Sequence, residues 1–296
     1  MARRARVDAE LVRRGLARSR EHAVELINAG RVLINGSVAT KAATGVETAT
    51  PLLVREQPDE VQWASRGAHK LLGALEAFEP QGVSVDGKRC LDAGASTGGF
   101  TDVLLSKGAK EVVAADVGYG QLIWRLQNDD RVQVHDRTNV RQLTPELIGG
   151  TVDLVVTDLS FISLALVLPA LAACAAPGAD LLPMVKPQFE VGKDRVGSGG
   201  VVRDPALRAE AVREVASAAA RLGLRTRGVT ASPLPGPSGN VEYFLWLRKD
   251  SEPVGTGDGT AVAPGDGADV GGAAYDADEA ARVAALIERA VQEGPQ

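Results

Sequence analysis

The sequence predicts an α/β fold: a mainly parallel sheet with helices on both faces, preceded by a small α+β unit. Three observations carry this. A chain of 296 residues has the length of one large domain plus a smaller one. From residue 68 strand-like runs alternate with helix-length segments, which implies parallel strands joined by crossover helices. Residues 1–56 instead carry short, closely spaced elements, and a unit of that size is near the lower limit for folding alone.

The elements follow in order. Residues 7–29 read as two helical segments around Arg14-Gly15, with Val7, Leu11 and Leu16 starting an apolar pattern. Ser19 is a cap for the second helix, whose inner side carries Ala23, Val24, Leu26 and Ile27. RVLING (31–36) is a strand and turn, and VETATPLLVRE (46–56) a further strand. Residues 57–67 form a linker containing Trp63, read equally as a hydrophobic plug between domains and as a functional residue. The large domain spans 68–249. HKLLGALEAF (69–78) is an amphipathic helix, and strands are expected at 89–93, 111–116, 131–135, 152–158 and 179–186. Helices fill 99–107, 119–128, 163–175 and 206–222, the last opened by Asp204-Pro205. GVTAS (228–232) and VEYFLWLR (241–248) add an antiparallel edge pair. Residues 250–296 form an acidic tail, disordered over 250–274 and helical over 276–293.

Composition narrows the function. Residues 1–41 carry nine Arg/Lys against four Asp/Glu, and residues 251–296 carry nine acids against two arginines. The basic head suits a polyanion, or is an ordinary solvated surface. Two cysteines, Cys90 and Cys174, form no CxxC pair, which argues against a zinc site or a disulfide framework and fits a reducing cytoplasm. His22, His69 and His135 have no ligand spacing, so no metal is expected. The longest apolar run, Leu164–Ala176, is shorter than the roughly 20 residues that span a bilayer, so a membrane partner is not expected.

The stretch DAGASTGGFTD (92–102) follows the first strand of the large domain and opens a helix. Ligands of such sheets bind at strand carboxyl ends, where glycines admit close approach and a helix N-terminus favours an anionic group. The spacing matches neither GxxxxGK[ST] nor GxGxxG. Asp92, Gly94, Ala95, Ser96, Thr97, Gly98, Gly99 and Phe100 are the candidate cofactor contacts. Asp116 ends the second strand, where an acid accepts from ribose hydroxyls, and Asp136 follows the third, where it can accept from an adenine amino group. The set fits S-adenosylmethionine; a nicotinamide dinucleotide shares its first two features.

Four charges stand at element ends. Lys70 begins the first helix of the large domain, Asp158 ends the fourth strand, Lys186 ends the fifth and Glu242 begins the last. Lys70 and Glu242 taken singly read as surface charges. Lys186 closes the apolar run LLPMV directly before a proline, and lysine is rarely buried without a partner.

These residues resemble the Lys-Asp-Lys-Glu tetrad of the FtsJ-like 2′-O-ribose methyltransferases, in order and in position relative to the strands. RRGLARSREHAVELINAGRVLINGSVATK (13–41) resembles the S-four ribosomal-protein type of RNA-binding domain. Together with SRGAHKL, TDLSFIS, VKPQFE and VEYF, residues 1–248 resemble the TlyA family of rRNA methyltransferases. The resemblance implies a class I methyltransferase sheet and S-adenosylmethionine-dependent methylation of a cytidine 2′-hydroxyl in 16S and 23S rRNA. It implies ribosomal 30S and 50S subunits as partners, with no DNA. Lys186 is then the base, with Lys70, Asp158 and Glu242 around it. A free lysine is neutral in only roughly one molecule in a few thousand at pH 7; if the carboxylates prevail, Lys186 mainly positions the hydroxyl. Arg3, Arg4, Arg6, Arg13, Arg14, Arg18, Arg20 and Lys41 are the candidate phosphate contacts, and such binding weakens with salt. Two other readings are an RNA-binding protein without catalysis, against which the filled tetrad argues, and a haemolysin, a label this family also carries. A pseudouridine synthase would need an Arg-Leu-Asp motif that the chain lacks.

Overall fold

The computed structural model describes residues 4–55, 62–236, 238–250 and 276–295. Arg3, linker positions 57–61 and all but Asp250 of the stretch 250–274 expected to be disordered lie outside the described residues; Asp250 accepts from Arg225 at 3.3 Å. The chain divides into two units, residues 1–62 and 63–296.

The first unit contains β1 (Arg4–Arg6), α1 (Val7–Arg13), α2 (Arg20–Asn28), β2 (Val32–Ile34), β3 (Ser37–Val38), β4 (Gly45–Glu47) and β5 (Leu52–Val54). Ser19 caps α2 by accepting from the His22 amide at 3.1 Å, so one orphan donor of the first turn is satisfied. Val7, Leu11, Ala23, Leu26, Ile27 and Val32 share one core. The single strand expected over 46–56 is two strands. Thr50 turns the chain back, its hydroxyl accepting from the Glu47 amide at 3.0 Å; β4 then pairs with β1, and β5 with β2.

The second unit contains α3 (Gly67–Phe78), β6 (Arg89–Ala93), α4 (Gly99–Ser106), β7 (Glu111–Ala115), α5 (Trp124–Gln127), β8 (Val132–His135), β9 (Val152–Thr157), α6 (Leu168–Cys174), β10 (Ala175–Val185), α7 (Pro187–Glu190), α8 (Pro205–Ala220), β11 (Leu224–Ala231), β12 (Tyr243–Lys249) and α9 (Ala277–Glu293). Seven strands form one sheet in the order β11-β12-β10-β9-β6-β7-β8. β12 runs antiparallel to both of its neighbours, and the pairs among β6 to β10 are parallel. Strand alternation makes two cores. Leu91, Ala93, Tyr243 and Leu245 face α6, α8 and α9, whereas Cys90, Phe244 and Trp246 face α3 and α4. Trp63 packs against this second core. Both cysteines are buried and free, and burial pushes the Cys90 thiol up to about 12 and the Cys174 thiol to about 11.

Three further expectations, all in the second unit, need correction. Residues 119–128 hold only the short α5, because Asp116 and Asp136 accept from the Gly118 and Gly120 amides and bind this backbone into turns. Residues 163–175 are a 3-10 turn capped by Ser163 followed by α6, whose first turn takes Pro169. The strand expected at 179 begins at Ala175, with a register shift before Asp180.

For α9 the sequence specified no docking place. It packs on β11 and α8, burying Val283, Ile287, Ala290 and Val291. Asp276 caps it through the Glu279 amide at 2.8 Å, and Arg282 donates to the Thr226 carbonyl at 2.7 Å. Among the described residues no helix is long and apolar enough to cross a membrane. Ile287 is fully buried, so Ile287→Ala is expected to lower unfolding free energy by about 2–4 kcal/mol. Urea denaturation measures this; an unchanged midpoint would detach α9 from the cooperative core.

Candidate active site

The chain leaves β6 outward through β7 and β8, then returns to β9 on the other side of β6. Crevices form at such reversals, outside the carboxyl ends of the strands. Two loops meet here, residues 94–98 after β6 and 158–163 after β9. Gly94 has φ +94°, and a Cβ there would lie 3.0 Å from the Asp158 carbonyl oxygen and 2.8 Å from Leu159. Any other residue would force the loops apart. The Gly94 and Ala95 amides donate to the Ala115 carbonyl at 2.8 and 3.2 Å.

Asp116 holds the same loop from β7. One of its oxygens accepts from the Ser96 amide at 2.9 Å and the other from the Gly118 amide at 2.7 Å. Asp136 accepts from the Gly120 amide at 3.0 Å. The Thr97 carbonyl accepts from the Ile123 amide at 3.2 Å. Gly98 lies under Leu122 and Leu126, and Gly99 against Ser65. Phe100 turns away into the core beside Phe244, with ring centroids 6.0 Å apart.

Asp92 is wholly buried beneath this loop. One oxygen accepts from the Thr101 hydroxyl at 2.7 Å, and the other has no partner. Burial pushes this carboxyl up to about 7, opposed by its hydrogen bonds to Thr101 and assisted by the charges of Asp158 and Asp116.

The four charged candidates converge. Lys70, in the first turn of α3, donates to Glu242 at 2.6 Å and lies 3.8 Å from Asp158. Lys186 lies 2.6 Å from Asp158 and 4.0 Å from Glu242. Cations and anions thus alternate around a closed ring, and each lysine has its own close carboxylate. The Glu242 side chain is 0% exposed, Lys186 7%, Lys70 11% and Asp158 23%, so the ring opens to solvent beside Asp158. The antiparallel direction of β12 is what brings Glu242 here: its starting end lies with the carboxyl ends of β9 and β10.

Sequence reasoning missed three contributors. Ser160 accepts from Lys186 Nζ at 2.9 Å; its position two residues after Asp158 was the available signal. Glu190 braces the 158–163 loop, accepting from the Ser163 hydroxyl at 2.6 Å and the Leu164 amide at 2.9 Å. Gly236 lies against Glu242, where a Cβ would come within 2.6 Å of Oε1. Neither of the last two contacts has a local sequence signature.

The basic candidates of the first unit divide. Arg6 and Arg20 pair with Asp8, each at 3.0 Å. Arg13 and Arg14 pair with Glu10 at 2.6 and 2.7 Å. Arg14 also donates to the carbonyls of Thr48 and Thr50, fixing the β4–β5 turn. Both acids are buried, and the adjoining guanidiniums hold each carboxyl down to about 2. Arg4, Arg18 and Lys41 are exposed.

Comparison with known proteins supplies the family. Residues 63–249 match the FtsJ-like methyltransferase family, and residues 5–49 match the S4 domain. The chain is 67% identical over 252 residues to the 16S/23S rRNA (cytidine-2′-O)-methyltransferase TlyA of Mycobacterium tuberculosis strain H37Rv, covering 85% of this chain and 92% of that one. It is 36% identical over 240 residues to Hemolysin A of Brachyspira hyodysenteriae, covering 81% of this chain and 98% of that one. A solved structure from Streptococcus thermophilus, which bears only a hemolysin label, is 33% identical with a TM-score of 0.68, covering 99% of this chain and 98% of that one.

The raised Asp92 carboxyl gives a pH dependence of stability. With a native value of about 7 against 3.8 for an unperturbed aspartate, the folded protein holds this proton while the unfolded chain releases it. Its contribution is therefore full below about pH 4 and is lost as pH rises towards 7, at up to roughly 1.4 kcal/mol per pH unit. Asp92→Asn is expected to flatten stability against pH in that window, measured by urea denaturation from pH 4 to 8. An unchanged slope would refute the assignment.

Proposed function

The chain belongs to the TlyA family of FtsJ-like methyltransferases, and from that premise we propose that it methylates the ribose 2′-hydroxyl of a cytidine in 16S and 23S ribosomal RNA, using S-adenosylmethionine. The closed Lys70–Glu242 and Lys186–Asp158 ring at the sheet's switch point carries this reading.

The strand-end residues suit that donor. Gly94 leaves the backbone bare at the crevice, and Asp92 keeps an unpartnered oxygen beneath it. We assign the 94–98 loop to the methionine part, Asp116 to the ribose and Asp136 to the base; each carboxylate oxygen that accepts an amide here retains further acceptor capacity. When bound, the donor supplies an electrophilic methyl group on a sulfonium.

The chain's own task is to aim and deprotonate a poor nucleophile. In its deprotonated form Lys186 Nζ would receive the proton of the ribose hydroxyl, while the oxygen's electron pair forms the new bond to the methyl carbon as the carbon–sulfur bond breaks and its electron pair stays on the sulfur. Asp158 orients that amine. Lys70 and Glu242 close the ring from behind, so the reacting group meets fixed charges rather than mobile water. The exposed guanidiniums of Arg6, Arg13 and Arg20 cover the buried acids of the first unit. With Arg4, Arg18 and Lys41 they offer donors to phosphates.

Labelled methyl transfer to unmethylated 30S and 50S subunits tests the reading. Wild type is expected to label ribose in both subunits, and Lys186→Ala to fall by about 10²–10⁴-fold with donor binding retained. Full activity in Lys186→Ala would remove the base, and no label on either subunit would remove the substrate.

A further inference from the structure

We propose that Ser160 is a positioning residue for methyl transfer: its hydroxyl fixes which face of the Lys186 amine meets the substrate hydroxyl. This rests on the function proposed above. An amine nitrogen has three directions besides its bond to Cε. Asp158 Oδ1 takes one at 2.6 Å and Ser160 Oγ takes a second at 2.9 Å. Glu242 Oε1, at 4.0 Å, is beyond hydrogen-bond reach. The resting ammonium carries three N–H bonds; the deprotonated form that can act as the base has two N–H bonds and one lone pair. Two acceptors engage both N–H bonds, and the lone pair is left in the third direction to receive the ribose proton. With Asp158 alone, one N–H is fixed, and the other and the lone pair can exchange places.

The loop that carries Ser160 is tied to the element that follows Lys186. Glu190 of α7 holds Ser163 and Leu164 at 2.6 and 2.9 Å. Phe189 of α7 packs on Phe161, with ring centroids 5.2 Å apart. Phe161 has φ +64°, a left-handed conformation uncommon for a bulky residue, and the residue is 90% exposed. Ser160 itself is exposed, whereas the Lys186 side chain is 7% exposed. The serine therefore stands on the open side of the ring, where substrate must arrive. The loop that carries the serine is thus tied by the two Glu190 hydrogen bonds to the segment that follows Lys186.

The test compares wild type, Ser160→Ala, Ser160→Thr and Lys186→Ala in single-turnover methylation of unmethylated 50S subunits, with donor affinity measured by calorimetry. In Ser160→Ala the methyl-transfer rate constant is expected to fall about tenfold, with subunit KM and donor affinity within about twofold of wild type. Ser160→Thr, which keeps the hydroxyl, is expected to recover most of the rate. A wild-type rate in Ser160→Ala overturns the inference. So does an equal loss in the Ala and Thr variants, a loss confined to KM, or a loss of donor binding, each of which marks a purely structural serine. An active wild type with inactive Lys186→Ala and unimpaired Ser160→Ala would sink this inference alone. No ribose methylation by wild type would sink the proposed function with it.

Discussion

Taking an ionised side chain out of water costs on the order of several kcal/mol unless an opposite charge and hydrogen bonds meet it. Glu242 has no exposed side-chain surface and Lys186 has little, so neither is tolerable alone. Each is met by a charge from a different element: Lys70 from the start of α3 and Asp158 from the end of β9. That requirement explains the arrangement of the second unit. β9 and β10 must lie side by side to bring Asp158 to Lys186, and β12 must run against them to bring its first end to the same edge. α3 must begin over that edge. Removing one member would leave its partner as an uncompensated buried charge, so the constraint binds all four elements together.

Much of this was legible in the sequence because the charges stand at the ends of apolar runs. Lys186 after LLPMV and Asp158 after VDLVVT are conspicuous for being where a buried strand emerges. What the sequence hid depends on contacts between distant residues. The segment 119–128 has helical composition, but Asp136 and Asp116 bind the amides of Gly120 within it and Gly118 just before it and hold its start in turns. The β4–β5 break depends on the side chain of Thr50 and on a strand, β1, only three residues long. Ser160 looks like any loop serine until the fold sets Lys186 beside it, twenty-six positions away. The docking of α9 was illegible for another reason: an amphipathic helix declares an apolar stripe but not what it will cover.

Charge counting was informative about the first unit, and the structure refines it. Asp8 and Glu10 are inside, with side chains 3% exposed, while Arg6, Arg13 and Arg20 are 52%, 58% and 60% exposed. The surface presented to solvent is thus more positive than the formal sum, because the acids are buried behind the arginines that neutralise them. A guanidinium has five donors, and one carboxylate cannot use them all. Pairing with a buried acid therefore orients these arginines without exhausting them.

Among the described residues, buried carboxylates are accommodated in different ways. Asp8 and Glu10 are covered by exposed arginines, which fold the first unit and face outward. Glu242 is met on one oxygen by a lysine that is itself nearly buried, while its other oxygen has no hydrogen-bond partner. Asp92 has neither, only the hydroxyl of Thr101 and a second oxygen with no partner, and so its proton is retained towards neutral pH. A fold under pressure for stability alone would replace such a group with an apolar one. Its position directly under a bare glycine loop, with two further carboxylates nearby, fits the donor site proposed for that crevice.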